Sequence, residues 1–285
     1  MKTKHGWLLL GGMLLLNVNA FFQDTNFWIF VCFGQSNMEG FPGIEAQDKM
    51  NVDGRFQMLA TVDFPPSGKE KRNWYPAVPP LCRPSTGLCP ADFFGRTLVS
   101  NLPPNIKVGV VMVAVGGCKI ELFEKKTYQD CVATAPNWMT NIIRAYGGNP
   151  YQRLIDMAKL AQKAGVIKGI LLHQGESNMG DKKWPDKVKV VYDNLLNDLN
   201  LHAQQAPLLA GEVVKADQHG QCAGMNKIID ELPGTIPTAH VISSAGCEAR
   251  PPNHLHFTPA GYRKLGARYA DEMLSLLGYK APAPK

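Results

Sequence analysis

The sequence predicts an α/β fold: a three-layer α/β/α sandwich around a mainly parallel sheet. Three observations lead there. Apolar runs of strand length alternate along the chain with longer segments of helical periodicity. The run at 27–33 is rich in aromatic and β-branched residues and lacks polar alternation, as a strand buried on both faces does, and the runs at 107–115 and 166–172 read as further strands, the former clearly buried. Polar, glycine-containing turns follow these runs at 34–40, 116–117 and 173–178. In a parallel sheet all three turns fall at the carboxyl edge, where open α/β sheets bind ligands.

The run FWIFVCF at 27–33 is the first strand, and 55–62 offers a short second one. The proline- and glycine-rich stretch at 64–90 is too long for a simple connector and reads as a functional loop. A helix follows at 91–102, with Phe93, Phe94, Leu98 and Leu102 on its apolar side, and Pro103-Pro104 ends it. The strand at 107–115 runs into Gly116-Gly117. Asn149-Pro150 opens a helix whose stripe is Leu154, Ile155, Met157, Ala158 and Ala161, with Gly165 as its stop. A strand at 166–172, a helix at 183–204 and strands at 207–213 and 239–243 continue the alternation. The last helix starts near Thr258, whose hydroxyl suits a cap, with Pro259 at the first helical position. There is no internal repeat and no low-complexity linker.

The chain of 285 residues is long enough for one large domain. Residues 1–20 read as a cleaved secretory signal: Lys2 and Lys4, an apolar core at 7–16, then Val18-Asn19-Ala20. The expected organisation is therefore a signal peptide at 1–20 and one catalytic domain at 21–285, in a secreted or periplasmic protein. No other run approaches the roughly 20 apolar residues of a membrane span. Loss of Lys2 and Lys4 lowers the formal charge of +6 to +4, spread thinly, which argues against nucleic acid as a partner. Export permits disulfides, and local spacing suggests Cys82 with Cys89, Cys118 with Cys131 and Cys222 with Cys247. Free thiols are an equal alternative, because spacing does not fix connectivity.

The chemistry centres on Ser36. A serine hydroxyl needs a base to take its proton, and a histidine serves when it is correctly oriented. His256, just before the last helix, is the candidate base. Glu176, at a strand end, is a candidate orienting acid, and Asp217 and Glu248 are loop alternatives. Attack on a carbonyl creates an oxyanion that requires fixed donors; the backbone N–H groups of Ser36 and Gly117 and the side-chain amide of Gln174 are suitable.

The motifs GQSNMEG at 34–40, VGG-CKIELF at 115–123, HQGESN at 173–178 and HLHFTPAGY at 254–262 resemble the SGNH hydrolase superfamily. Within it they resemble carbohydrate esterase family 6 and the sialate O-acetylesterase-like group, over essentially the whole chain after the signal. The resemblance implies a flavodoxin-like sheet and removal of acetyl groups from sugars without a metal or other cofactor. Ser36 maps to the nucleophile, His256 to the base, and Gly117 and Gln174 to the oxyanion positions. The serine motif is not a GxSxG elbow, since Met38 stands at its second glycine.

One departure matters: Asn253 occupies the position, three residues before the base, where the superfamily usually has aspartate. An amide orients imidazole without stabilising imidazolium, so Glu176 becomes the preferred third member. His254 is a weaker choice of base than His256.

The substrate implied is acetylated xylan or its oligosaccharides, a plant polysaccharide, cleaved by way of an acetyl-serine. Trp74, Tyr75 and Trp184 are candidate sugar-stacking residues, with Trp138 a further one, although core packing is the commoner fate of tryptophan. Three alternatives compete: a sialate O-acetylesterase, for which Arg83, Arg250 or Lys119 would meet the anionic sugar; a glycan-binding module without turnover; and a metal site on His254, His256 and Glu176, which no spacing on a single element supports.

Overall fold

The computed structural model describes residues 23–280. The expected signal at 1–20 lies outside them. Seven strands form one sheet: β1 (Asp24–Gly34), β2 (Phe56–Leu59), β3 (Trp74–Pro76), β4 (Lys107–Ala114), β5 (Gly165–His173), β6 (Leu208–Gly211) and β7 (Ala239–Ile242). Their order is β3-β2-β4-β1-β5-β6-β7, parallel throughout except for β3. The first strand is thus central, which explains why its run is apolar on both faces: its residues from Ile29 to Phe33 have no exposed surface.

Six helices matter for the site: α1 (Ser36–Glu39), α2 (Pro90–Asn101), α3 (Asn137–Ala145), α4 (Pro150–Gln162), α5 (Trp184–Leu199) and α6 (Pro259–Leu276). Helices α2 and α6 pack together on one face of the sheet; α4 and α5 cover the other. Side-chain alternation on β1 serves both layers. Phe30 meets Phe94 of α2 edge-on at 4.8 Å, while Phe33 points the other way onto Phe123 at 5.3 Å. The expected caps form: Thr258 Oγ1 accepts from the Gly261 N–H at 3.1 Å, and Asn149 Oδ1 from the Gln152 N–H at 3.0 Å. The three-layer α/β/α sandwich is the fold class expected.

Register brings the turns together. Gly34 pairs with Ala114 on one side and His173 on the other, so β1, β4 and β5 end level. At Gly34, with φ +149°, an added Cβ would lie 2.1 Å from the His173 carbonyl oxygen. Only glycine lets the chain leave the sheet so close to its neighbour.

Some expectations are corrected. The loop at 64–90 contains β3, an antiparallel edge strand, and Gly165 opens β5 rather than ending α4. All seven cysteines are unpaired, so none of the three local disulfides forms. Their thiols point at other groups: Cys82 lies 3.2 Å from the Tyr146 hydroxyl, Cys118 donates to the Gly34 carbonyl and Cys222 to that of Glu176. No helix among the described residues is long and apolar enough to cross a membrane.

Candidate active site

Ser36 is the first residue of α1, two residues beyond the end of β1, and its hydroxyl lies 2.9 Å from His256 Nε2. His256 comes from the other end of the chain, two residues before the cap of α6. Both line a cavity of 440 Å³ with Gly117, Glu176, Phe41 and Trp138. The three polar turns and the histidine loop therefore converge. The backbone N–H groups of Ser36 and Gly117 find no acceptor among the described residues, which leaves both available to an oxyanion.

The polar residues that flank Ser36 brace the turns. Gln35 Oε1 accepts from Gln174 Nε2, Gly175 N–H and Ser177 N–H at 3.1–3.4 Å. Asn37 donates to the Glu176 carboxylate and, at 3.1 Å, to the Leu255 carbonyl, and its own amide oxygen accepts from the Tyr262 hydroxyl. Glu39 accepts from the Gly116 N–H and pairs with Arg83 at 2.6 Å; Arg83 also donates to the Ala114 carbonyl at 2.8 Å. One heptapeptide thus ties the ends of β4 and β5 to the histidine loop.

His256 is held by stacking. Its ring lies on Phe41 with centroids 3.8 Å apart and planes 10° from parallel, and the Arg250 guanidinium sits 5.1 Å from the Phe41 centroid. Burial first, then the positive charge of Arg250, pull the His256 pKa down to about 4. A ring with this pKa is neutral at neutral pH and can accept the Ser36 proton.

The third member differs from expectation. Glu176 bonds Asn37, not His256; its second oxygen and His256 Nδ1 each lack a hydrogen-bond partner among the described residues. Burial raises the Glu176 pKa to about 7. Glu176 therefore reaches His256 only indirectly, through Asn37 and the Leu255 carbonyl. Asn253 accepts from the Leu255 N–H, Glu248 from the Thr258 hydroxyl, and Asp217 is exposed, so none of the alternatives touches the imidazole. His254 faces His219, with ring centroids 5.6 Å apart.

Gln174 is also placed differently. Its amide nitrogen is shared among Gln35, Cys118 and Asn178, its oxygen accepts from Trp184 Nε1 at 2.5 Å, and it does not line the cavity. It braces the loop at Gly117-Cys118 rather than pointing into the cavity. Among the sugar-stacking candidates, Trp184 is fully buried beneath Gln174 and offers no face to a ligand. Trp74 packs on Phe27 at 4.7 Å, and Tyr75 accepts from the Glu70 N–H; both lie on the edge strand, away from the cavity. The exposed aromatics at the site are Trp138 (53%) and Phe41 (49%). Phe41 was signalled only by its place next to the serine motif, and Asn37 and Glu39 by lying inside it.

A family model described as carbohydrate esterase, sialic acid-specific acetylesterase, matches residues 26–275. The chain belongs to that family. Membership makes it a carboxylic ester hydrolase of the carbohydrate esterase class, and it does not single out carbohydrate esterase family 6. Similar solved structures show the same fold at low identity. An Arabidopsis thaliana protein superposes with TM-score 0.66 at 20% identity, covering 87% of this chain and 98% of that one. NanS gives 0.63 at 15%, covering 88% and 98%. A carbohydrate acetylesterase from Xanthomonas citri gives 0.62 at 15%; the match covers 87% of this chain and 56% of that longer one.

Proposed function

We propose that this carbohydrate esterase is a serine-dependent O-acetylesterase acting on neutral acetylated glycans of the xylan type. The observation that carries the reading is the 2.9 Å contact between Ser36 Oγ and His256 Nε2, at a cavity lined by Gly117, whose N–H has no acceptor among the described residues. In this mechanism His256 Nε2 takes the Ser36 proton as Oγ attacks the acetyl carbonyl, and the oxyanion rests on the N–H groups of Ser36 and Gly117. The tetrahedral intermediate collapses, and the sugar oxygen leaves with the proton held by His256. Water then attacks the acetyl-serine, with His256 taking its proton, and acetate departs as Ser36 regains its own.

The lining favours a neutral sugar because it contains no lysine or arginine; of its acidic side chains, Glu39 is paired with Arg83 and burial raises the pKa of Glu176. The second reading is a sialate O-acetylesterase. It is supported by the family description and by Arg250, exposed behind Phe41, where a sugar carboxylate could meet it. Arg83 is not available for that role, because it is buried against Glu39.

The test is acetate release from acetylated xylan and from an O-acetylated sialic acid, compared with Ser36→Ala. Release from xylan that the substitution abolishes is expected. Release confined to the sialic acid would favour the second reading, and release unaffected by the substitution would sink the serine mechanism.

A further inference from the structure

Next to the catalytic cavity lies a cleft of 450 Å³, and Gly117 lines both. The short helix at Tyr128–Ala133 and the start of α3 wall it. Trp138 stands at the junction: its indole lies against Gly117 on the catalytic side, while its neighbours Pro136 and Met139 face the cleft. The cleft wall carries Lys119 and Asp130, both exposed, whose side chains enter no hydrogen bond or ion pair among the described residues. Thr127 and Thr134 also line it; their hydroxyls donate to backbone carbonyls and keep lone pairs free to accept. An exposed indole continuing into a wall of unpaired donors and acceptors has the chemistry of a sugar site: apolar ring faces stack, and hydroxyls bond to charged groups.

We propose that the cleft beyond Trp138 binds the sugar residues that neighbour the acetylated one, so that the substrate is an oligosaccharide or polymer rather than a single acetylated sugar. The inference rests on the glycan esterase reading and deepens it. Size supports the division of labour. Each of the two spaces alone falls in the roughly 300–1,000 Å³ range that holds a small ligand, so an acetylated monosaccharide leaves the second one empty.

The test is calorimetric titration of the protein with xylose, xylobiose and xylotetraose, which carry no ester and so report binding apart from turnover. Affinity is expected to rise by about tenfold or more from xylose to xylotetraose, the worth of one charge-assisted hydrogen bond. The double substitution Lys119→Ala/Asp130→Ala is expected to bring the tetraose down to the level of xylose. So is Thr134→Trp, which fills the cleft mouth from an exposed position. Thermal melts of both variants verify that they are folded. A flat length series in the unsubstituted protein, or a length increment that survives both variants, would overturn the cleft. Its failure is separable from failure of the xylan-type esterase reading, because Ser36-dependent acetate release is measured independently on acetylated xylose and on an O-acetylated sialic acid.

Discussion

An imidazole titrating near 6.5 is mostly protonated at pH 5, and a protonated ring cannot take a proton from Ser36. In this site burial and Arg250 disfavour the charged form and depress the His256 pKa to about 4. The base stays neutral as pH falls until that value is approached. The acidic limb of kcat/KM, which reports the free enzyme, is therefore expected near pH 4 rather than 6.5. Arg250→Met removes a positive charge, stabilises imidazolium, and should move the limb upward; a limb that stays put would show that burial alone sets the value. Glu176 allows a second test at this scale. If its work is to hold Asn37, Glu176→Gln keeps an acceptor in place and should cost less than about tenfold in kcat on a small acetyl ester. Asn37→Ala leaves the buried Glu176 and Tyr262 groups unpaired, at about 1–3 kcal/mol, and frees the Leu255 carbonyl, so it should cost more. A fall of about 10⁴ for Glu176→Gln, as when a triad acid is neutralised, would show instead that an ionised Glu176 orients the base.

The elements deliver these residues through their packing. Helix α6 begins directly after the histidine loop and carries Tyr262, so its seat on α2 sets where both arrive. That seat is close: a Cβ added at Gly266 would come within 2.3 Å of the Pro90 carbonyl oxygen and 2.9 Å of Phe93 Cβ. The nearest atom is backbone and cannot rotate away. Gly266→Ala is accordingly expected to destabilise by about 1–3 kcal/mol in denaturant titration, with a parallel loss of kcat as the Tyr262–Asn37 bond shifts. An unchanged midpoint would mean that the helices sit further apart. The long elements were legible in the sequence because their signals are local: β1, β4, β5 and helices α2 and α4 lie where the apolar pattern places them, and α6 starts where the Thr258 cap and Pro259 place it. The three-residue β3 was not, since its identity as a strand depends on pairing with β2, and the short helices between 118 and 148 carry too few turns for a stripe to stand out.

At the scale of the molecule, what sequence reading located was the convergence of turns, and what it missed was contact across it. Ser36, Gly117, Glu176 and His256 meet because β1, β4 and β5 end level, and each turn is marked by its own motif. The stacking of Phe41 on His256 and the engagement of Gln174 by Trp184 depend on side-chain directions that no spacing encodes. The charge that reads as thinly spread is likewise partly gathered by folding: Lys71, Arg72, Arg153, Lys159 and Lys163 line one cleft with Asp156. The cysteines allow a test of the whole assembly. Five of the seven are buried, and all are unpaired, so cohesion rests on the apolar layers rather than on covalent staples. Removing a native disulfide typically costs about 2–5 kcal/mol, which in a domain of this size lowers the melting temperature by roughly 5 °C or more. The melting temperature of the protein is therefore expected to be the same with and without a thiol reductant. A fall of that size on reduction would show that a pair closes in solution. Cys118 and Cys131 would be examined first, since both line the cleft beside Gly117 and a bridge there would pin the wall of the proposed glycan site.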